Sequence, residues 1–156
     1  MDNERSFLQR AVEIAGKEIE NGSGPFGAVI TKNGKVIAEA NNRVVQLNDP
    51  TAHAEMLAIR KASEILNSFN LADCTLYTSC EPCPMCLGAI YWAGIKKVVY
   101  SSDRNEAAAA GFSDRFIYDE ILLAPSERKI SFIHMDDIES KKVFTKWIKF
   151  ENKIPY

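Results

Sequence analysis

The chain has 156 residues, of which 46% are hydrophobic and 26% charged, close to an ordinary globular domain, which excludes disordered, collagen-like and low-complexity classes. That length supports one core, burying about 69% of the unfolded surface, and leaves no room for a second. A formal net charge of −2 supplies no global basic field for nucleic acid, and no apolar run is long enough for a membrane span or a signal peptide. These features predict a single-domain cytoplasmic protein spanning residues 1–156, whose four cysteines are ligands or buried thiols rather than disulfides.

Phe7, Leu8, Ala11, Val12, Ile14, Ala15 and Ile19 form an apolar stripe at helical spacing, stopped by Asn21-Gly22. Pro25-Phe26-Gly27 leads into a strand, and Asn33-Gly34 between two apolar runs predicts a tight hairpin, because both turn positions need positive φ. Residues 41–50 are polar and read as a loop. Thr51 is placed to cap a helix over 52–66. A buried strand follows at 74–79. Pro82 then opens a helix over about 84–93 that Gly94 ends. Val98-Val99-Tyr100 reads as a second strand, pairing parallel with the first across that helix. The Ala-rich stretch 103–116 is partly helical, 131–135 has the composition of a strand, and 137–152 is a final helix. The expected architecture is a three-layer α/β/α sandwich around a mixed sheet.

His53-Ala54-Glu55, followed by Pro82-Cys83-Pro84-Met85-Cys86, carries the chemistry. One histidine and a Cys-x-x-Cys pair are three ligands of the right softness for zinc, the number a catalytic site uses. Cysteines at a helix N-terminus favour the thiolate that metal binding needs. Glu55 lies two residues beyond His53, and at a first helical turn both side chains can lean toward one site. That places Glu55 beside an activated water, where it can move protons from the water to a ring nitrogen and a leaving amine. A structural zinc would want a fourth protein ligand, for which Cys80 is the candidate. Cys74 reads as a small buried hydrophobe, and His134 as packing or surface.

The runs Asn48-Asp49-Pro50-Thr51-Ala52-His53-Ala54-Glu55 and Leu76 through Ala93 resemble the cytidine-deaminase superfamily, whose His-x-Glu and Pro-Cys-x-x-Cys signature marks zinc nucleobase deaminases. Within it the likeness is greatest to the bacterial guanine deaminases. It extends from Gly24-Pro25-Phe26-Gly27 through Gly111-Phe112-Ser113-Asp114 to the final Asn152-Lys153-Ile154-Pro155-Tyr156. The resemblance implies a five-stranded mixed sheet flanked by helices. It implies zinc on His53, Cys83 and Cys86, with Glu55 as proton shuttle. Asn42 would hydrogen-bond the purine, Asp114 would read the guanine edge and Phe26 would pack on the base. Tyr156 would close the site of a neighbouring subunit in a homodimer that exchanges its C-terminal segment, about 131–156.

Each of these positions also has a plainer reading. Asp114 could cap the helix that holds Phe116, Asn42 could satisfy loop backbone, Phe26 could be core, and Tyr156 could be a frayed end. The implied reaction is hydrolysis of guanine to xanthine and ammonia. Its rivals are deamination of adenosine in tRNA, a deaminase of another small base or nucleoside, and a non-catalytic zinc module. Lys141, Lys142, Lys146, Lys149 and Lys153 cluster in the last helix, but Asp136, Asp137, Glu139 and Glu151 interleave with them, which reads as a solvated face rather than an RNA track.

Overall fold

The structure, a computed structural model, describes residues 2–156 and divides into two compact units, one ending at Asp114 and one running from Arg115 to Tyr156. In the first, α1 (Asp2–Lys17) gives way to a single 3-10 turn at Ile19–Asn21, which Gly22 closes in the left-handed conformation. The hairpin forms as expected. β1 (Gly27–Lys32) and β2 (Lys35–Asn41) run antiparallel through Asn33 (φ 51) and Gly34 (φ 72). β3 (Cys74–Cys80) pairs antiparallel with β1 and parallel with β4 (Lys97–Ser102), giving the order β2-β1-β3-β4. Helix α4 (Pro84–Trp92) is the crossover between the parallel pair.

Strand alternation sends side chains to two cores. Ala28, Ile30 and Leu76 pack with Ala54, Ala58 and Ala62 of α3 (Ala54–Leu66) and with Ile90 of α4. Three alanines four residues apart let α3 lie close to the sheet. Val29 and Tyr77 face the opposite way, onto Ala11 of α1, with Phe7, Leu8 and Ile14 beside them. Helices therefore cover both sheet faces. Gly27 is where α1 comes nearest: a methyl there would overlap the Ala11 carbonyl oxygen and lie 2.7 Å from the Ala15 nitrogen.

Four expectations need correction. The sheet formed by the described residues has four strands, not five. Residues 131–135 form no strand and no ladder bonds, and Ile133 and Met135 are exposed; strand composition without a paired neighbour does not make a strand. The polar stretch 41–50 contains a short helix, α2 (Val44–Leu47), begun by the Val44 N–H donating to Asn42 Oδ1 at 3.2 Å and ended by Asn48 at φ 48. Thr51 does not cap α3. Its N–H and hydroxyl both donate to Asp49 Oδ1, at 2.8 and 2.7 Å, and the helix starts later with His53 as N-cap.

After β4 comes α5 (Arg104–Ala109), which completes the first unit. The second unit carries α6 (Arg115–Leu122) and α7 (Ile138–Lys149). Asp137 Oδ1 accepts from the Glu139 N–H at 2.9 Å to begin α7. Arg128 ties the intervening segment together, donating from Nε to the carbonyls of Glu120 and Leu123 and stacking over Phe132 at 5.0 Å. None of residues 115–156 is buried.

Candidate active site

His53 and Cys83 hold equivalent positions. Each is the N-cap of its helix in extended conformation (φ −69, ψ 154 and φ −66, ψ 169), and each carbonyl accepts the N–H four residues on. Extended caps turn their side chains off the helix axis and past its end. Two helix N-termini thereby meet, and Cys86 adds its sulfur from the first turn of α4. His53 Nδ1 lies 3.5 Å from Cys83 Sγ and 3.6 Å from Cys86 Sγ, and all three ligand atoms fall within 4.8 Å of one another.

Zinc bonds of about 2.0 Å to nitrogen and 2.3 Å to sulfur make tetrahedral N···S edges of about 3.6 Å, so these residues fit that ion without rearrangement. Cys80 is not in this group. Its Sγ contacts the Asp103 carbonyl at 3.8 Å, and burial pushes its thiol up to about 11. A four-ligand structural site on Cys80 is not what the chain builds, and three ligands leave a position open.

Glu55 is 5% exposed. Its Oε1 accepts from the Thr78 hydroxyl at 3.3 Å, and its Oε2 lies 3.5 Å from Cys86 Sγ. The carboxylate is thus beside the ligands without being one of them. Burial raises its pKa, because a low-dielectric surrounding disfavours the charged form. The two sulfurs differ. Hydrogen bonding from Cys86 pulls the Cys83 thiol down to about 4, with His53 adding to the effect, whereas Cys86, bonded to Cys83 and more deeply buried, is pushed up. The bond to Cys83 raises His53.

Asn42 and Phe26 are linked to each other, Phe26 to Phe112, and Asp114 to the charge of Cys83. Asn42 is buried; its N–H donates to the Phe26 carbonyl at 3.0 Å and its Oδ1 is held by Val44, which leaves Nδ2 as its donor. Its loop-satisfying role is real but uses only the oxygen. Phe26 meets the α3 side of the core and also stands edge-on to Phe112, ring centroids 4.9 Å apart. Asp114 sits at the end of the first unit, immediately before α6, half-buried, with its pKa raised by burial and, to a smaller degree, by the charge of Cys83. Tyr156 belongs to the second unit and is exposed there. Cys74 is buried in β3 and His134 is exposed, as read. Thr78 was not anticipated; it is one of three hydroxyl side chains in β3, with Thr75 and Ser79, and nothing in the sequence sets it apart from them.

The model of the cytidine and deoxycytidylate deaminase zinc-binding region matches residues 1–102. The chain is 53% identical over 155 residues to a guanine deaminase of Bacillus subtilis, covering 99% of both chains. An X-ray structure of guanine deaminase from Bacillus subtilis superposes with a TM-score of 0.94 over 97% of this chain and 98% of that one. A tRNA-specific adenosine deaminase of Aquifex aeolicus is 47% identical over 96 residues, 62% of this chain and 64% of that protein.

Proposed function

The chain belongs to the cytidine and deoxycytidylate deaminase zinc-binding family, and from that premise we propose that it is a cytoplasmic guanine deaminase, a zinc hydrolase that converts guanine and water to xanthine and ammonia. The observation that carries the chemistry is Glu55, a buried carboxylate held 3.5 Å from a ligand sulfur yet outside the ligand group. The choice of ring is supported by the likeness to the Bacillus subtilis enzyme along the whole chain, rather than along the zinc segment alone.

His53, Cys83 and Cys86 would hold the zinc ion, which when bound would supply a water acidified to a pKa of about 7. Glu55 would take a proton from the attacking water as its oxygen adds to C2 of guanine and hand it to the adjacent ring nitrogen. It would then carry the proton of the new hydroxyl to the amine, which departs as ammonia. Thr78 holds Oε1 of the carboxylate, so Oε2 faces the reaction. Asp114 accepts from the guanine N1–H and amino group, a donor pair that adenine lacks. The acceptor left unpaired by a wrong base is the penalty that enforces the choice. Asn42 donates from Nδ2 to the purine, and Phe26, braced by Phe112, forms the face against which the ring lies.

The assembly in this reading is a homodimer that exchanges residues 131–156, so that Tyr156 of each subunit closes the other's site. The exposed apolar side chains of the second unit support it. A monomer by analytical ultracentrifugation would end that part. No helix among the described residues is long and apolar enough to cross a membrane.

The test is ammonia release from zinc-loaded protein offered guanine, cytosine, adenine, cytidine and an adenosine-bearing tRNA anticodon arm in parallel. Guanine turnover alone is the expected result. Turnover of the tRNA arm in its place would overturn the choice of substrate and make the lysines of α7 the binding surface.

A further inference from the structure

Glu81 and Arg104 lie beside the zinc cradle, and the chemistry above gives them no task. Glu81 directly precedes Pro82-Cys83, and Arg104 opens α5. The Glu81 carboxylate accepts from the Arg104 backbone N–H at 3.1 Å, from its Nε at 3.1 Å, and from its Nη2. The Glu81 N–H in turn donates to the Ser102 carbonyl at 2.8 Å, and Cys80 Sγ meets the Asp103 carbonyl. Residues 80–81 and 102–104 are stitched together. From one side of the stitch the chain runs straight to Cys83. From the other it runs into α5.

That helix is held at its own start. Asp103 Oδ1 accepts from the N–H groups of Asn105 and Glu106, and Glu106 Oε2 accepts from the Asp103 N–H. At its end Gly111, at φ 94, reverses the chain, and the Phe112 N–H donates to the Ala107 carbonyl at 2.9 Å. The reversal sets Phe112 edge-on against Phe26 and delivers Asp114 two residues later.

A guanidinium fork on a carboxylate fixes direction as well as distance. The Arg104 side chain is 44% exposed, and a surface pair of this kind contributes little to stability. Such a contact is a poor device for holding a fold and a good one for setting an angle.

We propose that the Glu81–Arg104 fork is the positioning element of guanine recognition: it couples the strand that delivers Cys83 to the helix and turn that present Phe112 and Asp114 to the base. The inference rests on guanine being the substrate. Its test is steady-state kinetics on guanine for the wild-type protein, Glu81→Gln, Arg104→Gln and Arg104→Lys, with zinc content and Tm measured alongside. Both Gln variants should raise KM about tenfold while kcat stays within about threefold, since misplacing a recognition group weakens binding more than it alters the reacting groups. Zinc content and Tm should not move. Arg104→Lys keeps the charge, loses the fork and should recover part of the KM. Wild-type KM in both Gln variants, or a fall in Tm and kcat together with KM unmoved, would overturn the proposal while leaving the substrate assignment in place. A wild-type protein inert toward guanine would overturn both.

Discussion

Val29 and Trp147 are both large apolar side chains on regular elements, yet one is fully buried and the other 45% exposed. The difference holds along the chain. Up to Asp114, alternating strand residues close two cores, one against α1 and one against α3 and α4. From Arg115 onward Phe116, Leu122, Ile133, Val143, Phe144 and Ile148 are all exposed. A unit of about forty residues buries little surface by itself, and its apolar side chains are the ones that the proposed exchange of residues 131–156 would cover. The contrast is between a first unit built on two packed cores and a second whose apolar side chains stand exposed. Damage to the first should appear as lost chemistry or lost stability, and damage to the second as altered association or closure.

The sharpest break is Glu55→Gln, expected to lower kcat by about 10³-fold or more with zinc content and Tm intact; zinc lost along with activity would make Glu55 structural. Gly27→Ala comes next. The added methyl has only the α1 backbone to displace, so urea unfolding should show a loss of about 3 kcal/mol or more, and a loss under 1 kcal/mol would mean that α1 can shift. Asp114→Ala should cost guanine about 10²-fold in kcat/KM with little change in Tm. If the ratio of guanine to adenine turnover is unmoved, Asp114 serves only as a helix cap. Deleting Tyr156 is the mildest change, expected to lower kcat/KM about tenfold with the unfolding midpoint unchanged. Full activity without it would remove the closure role and narrow the contrast between the two units to assembly alone.

The grouping of His53, Cys83 and Cys86, which could hold a metal ion, and the hairpin were legible because their signals are local. Asn33-Gly34 can hardly do anything else between two strands, and His-x-Glu with Pro-Cys-x-x-Cys places four functional groups within two short segments. What stayed illegible depends on competition or distance. Thr51 has the chemistry of a cap, but Asp49 claims its hydroxyl and N–H first, and the helix starts at His53. Residues 131–135 carry strand-like side chains without a ladder to join. Thr78–Glu55 and Glu81–Arg104 each join residues 23 positions apart, and no spacing rule reaches across that interval. The His53, Cys83 and Cys86 group could be read from the sequence, but the contacts Thr78 makes with Glu55 and Arg104 makes with Glu81 could not.

Two N-caps meeting at one point have a mechanical consequence as well as an electrostatic one. His53 and Cys83 are 30 residues apart, and an ion bound to both would close that stretch into a ring containing α3 and β3. By the loop-closure relation used for covalent cross-links, a ring of this size removes about 3–4 kcal/mol of freedom from the unfolded chain. The ion would then be a fastener for about a quarter of the first unit. Stripping it should lower the melting temperature and open the α3–α4 seam to hydrogen exchange before the hairpin yields.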